Sequence, residues 1–393
     1  MSKHERGFRD LEAQLDELRS HQLFRTRRIV ESPQGREIDV NGRRLLNFSS
    51  NDYLGLASDP RIAQAFHEGI RTWGTGSGAS HLISGHTAAH HALEEELADF
   101  VERPRALLYG SGYAANVGVI NALLSVGDQV FEDRLNHASL LDGGWISRAD
   151  FHWFEHRDVR QLQCLVSERA DRPCRRLIVS DGVFSMDGDQ CRLDDLIAIA
   201  RRTDSWLQID DAHGIGVYGD HGKGTVDPKR YTTEDVPVLI GTLGKSFGTA
   251  GAFVAGEEAL IETLIQRSRN YIFTTAMPAA LACATSRSLA IVEHESWRRD
   301  RLKSLVSNFQ EGVKSLNLPV PESCSPIQPL VIGDTNTTLS VARSLEENGC
   351  FVVPIRPPTV PVDTSRLRIT FTAAHAESDV DRLLEALHTA CSE

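Results

Sequence analysis

Short apolar runs recur through the middle of this chain, separated by longer stretches in which apolar positions return at helical spacing. The runs are Ala106–Tyr109, Gln129–Phe131, Leu177–Ser180, Trp206–Asp210, Val238–Ile240 and Ala252–Ala255. Continuous runs this short suit strands buried on both faces, and their alternation with helices predicts an α/β fold: a mostly parallel sheet with helices on both sides. Ahead of them, Phe8, Leu11, Leu15 and Leu18 recur among charges, predicting an amphipathic arm that packs on the body or on a partner subunit. Asp39-Val40-Asn41-Gly42 carries the Asn-Gly signature of a tight hairpin. Asn47 to Gly55, rich in small hydrogen-bonding side chains, reads as a functional loop, and Ile62–Trp73 and Ala92–Phe100 read as helices.

Beyond Arg267 the pattern changes to a long helical region reaching about Leu316. Extended segments at Gln328–Gly333, Phe351–Pro354 and Arg366–Phe371 follow, interleaved with helical Leu339–Glu347 and closed by a helix from Ser378 to about Cys391. This order predicts a smaller C-terminal α+β domain over 286–393, after an arm and hairpin over 1–45 and a large domain over 46–285.

At 393 residues the chain is ample for a large core. Its 42 basic and 54 acidic residues leave a formal charge of -12, which argues against broad nucleic-acid binding. The seven cysteines are scattered without CxxC or metal-ligand spacing, the pattern of reduced thiols in a cytoplasmic protein. No signal peptide and no apolar run of membrane-spanning length is legible, so the expected setting is the cytoplasm, with no membrane.

The candidate chemistry centres on Lys245, in Gly241-Thr242-Leu243-Gly244-Lys245-Ser246-Phe247-Gly248, directly after the run Val238–Ile240. A lysine at the end of a buried strand is costly to keep charged, which can lower its pKa and make its amine nucleophilic. A phosphate-binding P-loop needs a glycine where this chain has Leu239, so that reading fails on spacing. Upstream, Trp206–Asp210 runs into Asp211, Ala212 and His213. Two strands ending in Asp and Lys bring opposite charges to one edge of a parallel sheet, where such proteins place their sites, and the pair suggests pyridoxal phosphate. Gly110 to Asn116 is a small-residue turn opening a helix, a natural phosphate seat. Gly74 to Ala79 imitates a dinucleotide fingerprint but follows a helix rather than a strand, so nicotinamide binding is a minor alternative. His86, His90 and His91 read as surface or partly buried histidines rather than metal ligands, because HExxH is absent; no metal is expected. Arg25, Arg27 and Arg28 read as solvated charge at a helix end.

The segments NFSSNDYLGL, GSGYAAN, DRLNHASLLDG, SDGVFSMDGD, IDDAHGIGVYG, TLGKSFG and IRPPTVP, in this order over nearly the whole chain, resemble the α-oxoamine synthases. The resemblance implies the aspartate aminotransferase fold (pyridoxal-phosphate fold type I) and pyridoxal 5'-phosphate as cofactor. It implies that Lys245 is the Schiff-base lysine, that Asp210 pairs with the pyridine nitrogen, that His213 bonds the phenolic oxygen and that His137 stacks on the ring. Gly112 and Tyr113 match backbone donors to the phosphate, and Ser185 and Thr242 match hydroxyls near the phenolic oxygen and phosphate. Thr274 and Thr275 are candidates for phosphate contact across the interface of a homodimer with shared sites. Arg368, with Asn51 beside it, matches the arginine that holds the amino-acid carboxylate, and Arg25 and Thr359 match positions near the acyl thioester. His81 stands where arginine is as readily expected. Ile355 to Pro361 and Cys324 to Leu330 most resemble members that condense L-alanine with pimeloyl-CoA or pimeloyl-acyl carrier protein; relatives using glycine or serine are the alternative.

Overall fold

The structure, a computed structural model, describes residues 9–169 and 172–392. Phe8 of the expected arm lies outside them. In chain order the strands are β1 (Glu37–Val40), β2 (Arg43–Asn47), β3 (Arg105–Tyr109), β4 (Gln129–Asp133), β5 (Asp150–Phe154), β6 (Arg176–Asp181), β7 (Trp206–Asp210), β8 (Val238–Thr242), β9 (Ala252–Gly256), β10 (Ile327–Gly333), β11 (Cys350–Phe351), β12 (Pro354–Ile355) and β13 (Ser365–Thr370). The chain divides into two compact units, Asn51–Leu302 and a second that joins Met1–Ser50 to Lys303–Glu393.

The larger unit carries a seven-stranded sheet in the order β3-β9-β8-β7-β6-β4-β5. Only β9 runs against the rest. Successive strand residues point to opposite faces, so each apolar run feeds two cores. Ile178, Leu207, Ile209, Leu239 and Phe253 pack on one face with Leu93, Leu162, Leu196 and Val292. Leu177, Val179, Val238, Ile240 and Val254 pack on the other with Val119, Ile120, Ile261 and Leu264. Each such apolar side chain contributes roughly 1.5–3 kcal/mol when fully buried, which is why the runs are so largely apolar; the buried Gln208 inside β7 is kept by a partner in Asn116. β5 was not legible as a run because it is an edge strand: Asp150 and Trp153 face out, and the sequence Asp-Phe-His-Trp-Phe has only a partial apolar side.

Helix Pro60–Trp73 begins as its sequence demands, with Asp59 accepting the Arg61 amide and Pro60 in the first turn, where a missing N–H costs nothing. Within the segment expected to be a loop, Tyr53 and Leu54 are fully buried; Asp52 turns the chain by accepting the Leu56 and Ala57 amides at 2.7 and 3.1 Å.

In the smaller unit β1 and β2 form the expected hairpin, with Asn41 and Gly42 at φ 51° and 71° and Val40 opposite Arg43. β2 then pairs in parallel with β11, so this hairpin is built into the unit that holds the C-terminal segment. Phe48, Phe309 and Phe371 pack ring against ring there, and Arg36 grips Asp379 through two hydrogen bonds of 2.6 and 2.7 Å. Sheet β10-β13-β12 is antiparallel, and helices Thr335–Glu347 and Glu377–Ser392 complete the α+β unit. The sequence reading begins a smaller domain at Ser286; in the structure helix Ala279–His294 lies wholly within Asn51–Leu302. Among the described residues, no helix is long and apolar enough to cross a membrane.

His156, Asp133 and Asp189 form a partly buried ion cluster whose charge state depends on pH. Burial opposes protonation of His156, but hydrogen bonds at 3.0 Å to Asp133 and to Asp189 outweigh it and push its pKa up to about 9. A folded-state pKa above the unfolded value of about 6.5 gives stability that is complete below pH 6.5 and lost as pH rises through about 9. Chemical denaturation of the His156→Asn variant should therefore show a lower stability near pH 6 and a flatter decline between pH 6.5 and 9 than the unmodified protein.

Candidate active site

The C-terminal ends of β6, β7 and β8 converge on one edge of the large sheet, bringing Asp181, Asp210 and Thr242 together. Lys245 follows β8 in a turn closed by three backbone bonds: Leu243 N to Gly251 O, Gly248 N to Lys245 O and Thr249 N to Leu243 O, each 2.9 Å. Gly248 is obligatory here, since its φ is +63° and a Cβ would lie 2.4 Å from the Ala57 nitrogen and the Leu56 carbonyl carbon. The turn is thereby clamped against the segment after Tyr53.

The half-buried Lys245 amine stands 2.9 Å from His213 Nε2. His213 Nδ1 lies 2.7 Å from the Tyr53 hydroxyl, which donates to Asn51 Oδ1 at 3.2 Å. A hydroxyl that donates to Asn51 accepts from Nδ1–H, leaving Nε2 as an acceptor toward Lys245. The chain Asn51, Tyr53, His213, Lys245 thus sets the imidazole tautomer at the lysine. Tyr53 was not singled out from the sequence; its burial is the missing signal, since a hydroxyl that deep needs a partner.

Asp210 is buried and doubly held. Asn116 donates to its Oδ2 at 2.6 Å and the Ala212 amide to its Oδ1 at 3.0 Å. Asn116 also donates to Ser139 Oγ at 2.8 Å, and that hydroxyl meets His137 Nδ1 at 2.7 Å. One fully buried amide therefore orients both the carboxylate and the imidazole. Burial holds His137 below the usual histidine range, opposed by the charge of Asp210 and aided by that of Lys245, so its ring is neutral at pH 7. Asp181, opposite Asp210 in register, accepts the His137 amide at 2.6 Å; burial and then the Asp210 charge raise its pKa well above the carboxylate range. Asp211 faces away and anchors Thr225 through its amide and hydroxyl at 2.7 and 2.8 Å, a structural role.

Helix Gly112–Leu123 starts beside this edge, capped by Ser111, which accepts the Ala114 amide. A Cβ at Gly112 would meet Thr242 Cγ2 at 2.8 Å, so the bare first turn lies directly against the end of β8. Tyr113 is half exposed and its hydroxyl bonds Asp142, leaving its backbone at the helix start. Ser185 follows β6 in the turn beyond Gly182. Amides of a helix N-terminus, a hydroxyl, a fixed carboxylate, a neutral imidazole and an amine form a set able to hold a planar, phosphorylated carbonyl compound.

Thr274 and Thr275 lie in the larger unit, and Arg25, Thr359 and Arg368 lie in the smaller one. Arg368 is buried in β13, and Arg25 donates to Thr359 Oγ1 at 3.1 Å. Arg28 is fully engaged by Glu346, at 2.6 and 2.9 Å, so of the three N-terminal arginines it is a structural one.

Residues 43–387 match the model of the family described as aminotransferase class I and II. The chain is 55% identical over 374 residues to 8-amino-7-oxononanoate synthase of Nitrosococcus oceani, covering 94% of this chain and 99% of that protein. Among solved structures, Sphingomonas wittichii serine palmitoyltransferase superposes with a TM-score of 0.91 at 27% identity, over 100% of this chain and 98% of that one. A crystal structure of 8-amino-7-oxononanoate synthase from Francisella tularensis gives 0.77 at 30% identity, over 88% and 98%.

Gly248→Ala tests the clamp on the lysine turn. It should cost roughly 1–3 kcal/mol or more in thermal or chemical unfolding, because positive φ and backbone overlap add. An unchanged melting temperature would mean that the turn relaxes freely.

Proposed function

The chain belongs to the class I and II aminotransferase family, and we propose that within it the protein condenses L-alanine with a pimeloyl thioester, on CoA or acyl carrier protein, to give 8-amino-7-oxononanoate, carbon dioxide and the free thiol. The observation that carries this is the Lys245 amine 2.9 Å from His213 Nε2 beside Asp210, at the sheet edge where the helix from Gly112 begins. The choice of alanine and pimeloyl thioester rests on similarity to the Nitrosococcus oceani enzyme.

Pyridoxal phosphate, when bound, supplies an electrophilic carbonyl and a ring that takes up electrons from the α-carbon of an attached amino acid. The residues present fit that group. Lys245 is the amine that holds it and the base that moves the α-proton. Asp210 keeps a proton at the ring nitrogen, and Asn116 keeps Asp210 in place. His137, neutral and fixed by Ser139, covers one ring face. The first-turn amides at Gly112 and Tyr113, with Thr242, take the phosphate. His213, held by Tyr53, takes the phenolic oxygen and steadies the Lys245 amine, with Ser185 as a further hydroxyl. Arg368 holds the amino-acid carboxylate through its planar fork, with Asn51; Arg25 and Thr359 serve the thioester.

A homodimer completes this reading. Ile83, Trp145 and Phe273 expose 80%, 62% and 69% of their surface, and Thr274 and Thr275 directly follow Phe273. Apolar side chains that exposed favour cover by a second copy. The proposed setting is the cytoplasm.

Two outcomes are expected. The purified protein should show a visible band that responds to L-alanine in preference to glycine or L-serine, then change transiently on adding pimeloyl-CoA. Lys245→Ala should abolish the response and lower kcat/KM at least about a thousandfold; preference for glycine or serine would move the function to another α-oxoamine synthase. Second, Ile83→Arg with Phe273→Arg should shift sedimentation from dimer toward monomer and reduce activity in parallel.

A further inference from the structure

Outside the lysine site, four histidines and a buried glutamate gather at the start of helix Ala88–Phe100. His86, His91 and Glu94 each present one ligand atom, and these atoms all lie within 4.8 Å of one another. His91 and Glu94 share a helix face at a spacing of three residues, and His86 stands just before the first turn. Nothing in their sequence spacing singles out this trio; the bend through His81–Gly85 turns His86 back over the helix.

The other two histidines have separate employment. His90 Nδ1 accepts the Thr87 amide at 3.1 Å and its Nε2 meets Met277 O at 2.7 Å, so it caps the helix and has no nitrogen left for a ligand. His81 Nδ1 lies 3.0 Å from His86 Nδ1, while its ring stacks on Tyr271 at 4.9 Å and 14°. Two imidazole nitrogens at that distance share one proton. With the proton on His86 Nδ1, the His86 Nε2 lone pair is left 4.0 Å from Glu94 Oε2.

That separation is too long for a hydrogen bond but close to the spacing of two ligands on one ion. Zinc bonds of about 2.0–2.2 Å in a tetrahedron set ligands roughly 3.3–3.5 Å apart, so the His86–Glu94 pair closes by about half an ångström, and any pair near the 4.8 Å limit closes by a little over one, a movement open to the exposed His91 side chain. Glu94 is already oriented, since its Oε1 accepts the Leu108 amide at 3.0 Å. His91, mostly exposed and 3.5 Å from Glu95, gives the open side through which an ion enters.

We propose that His86, His91 and Glu94 bind a divalent transition-metal ion of the zinc class, with His81 as the outer partner that orients His86. Two imidazoles and one carboxylate suit zinc, with water in the fourth position. The histidine at position 81, unexplained by sequence, gains a role that an arginine there could not fill, because arginine cannot accept the His86 proton.

The test uses the chelator-stripped holoenzyme, dialysed to equilibrium against free Zn2+ set by a metal buffer in the micromolar range, with zinc per chain read by elemental analysis. The expected result is one zinc per chain, with affinity lowered tenfold or more in His91→Ala and about ten- to a hundredfold in His81→Ala. His221→Ala, an exposed histidine elsewhere, should leave the zinc content unchanged. His91 is exposed, so its removal leaves the core packing intact. No retained zinc, or equal retention in His91→Ala, would overturn the site; equal affinity in His81→Ala would overturn the orienting role.

Discussion

Two carboxylates stand opposite each other at the buried end of a parallel sheet, and the architecture of the site follows from that constraint. Asp181 and Asp210 are paired in register, so burial and then the Asp210 charge raise the cost of charge on Asp181. A sheet edge tolerates this only when donors meet the carboxylates. Asn116 and the Ala212 amide serve the two oxygens of Asp210 and the His137 amide serves Asp181 Oδ2, each donor delivered by a different element. Satisfying the carboxylates therefore fixes the helix after Gly110, the turn after β7 and the segment before the helix at Ala138, the same elements that carry the candidate phosphate seat and the His137 imidazole. The electrostatic requirement and the assembly of the site are one problem with one solution.

The lysine is placed by a second device with a different logic. Its turn holds no buried charge of its own; it is shaped by Gly248, which packs backbone to backbone against Leu56 and Ala57. That contact brings the Tyr53 region alongside His213, so a packing restriction at a glycine decides which hydroxyl sets the imidazole tautomer beside the amine. A carboxylate network and a glycine clamp thus place Asp210 and Lys245 by separate means, one through hydrogen bonds and one through volume.

Much of this was legible before any coordinates. The apolar runs marked six of the seven strands of the large sheet because strands buried on both faces are mostly apolar along their length. The Asn-Gly pair marked the hairpin because few residues adopt positive φ without cost. Lys245, Asp210 and His213 stand out at the ends of apolar runs, whereas His137 was reached only through the resemblance to the α-oxoamine synthases. The edge strand β5 escaped because half-exposure removes the pattern, and Tyr53 was read as part of a loop although it is fully buried.

What the sequence by itself determined is the order of strands and helices, the chemical types at the strand ends and the family to which they correspond, since these depend on local periodicity and on residues next to one another. Only the tertiary structure decided which carboxylate serves the site and which ties a loop, because Asp210 and Asp211 are neighbours in sequence but face opposite ways. It likewise decided that Asn116 orients Asp210 from 94 positions away, that the described residues before Asn51 build with those after Leu302, and that His86 approaches Glu94 while His90 caps a helix. Partnerships of this kind depend on distance after folding, which no local pattern encodes.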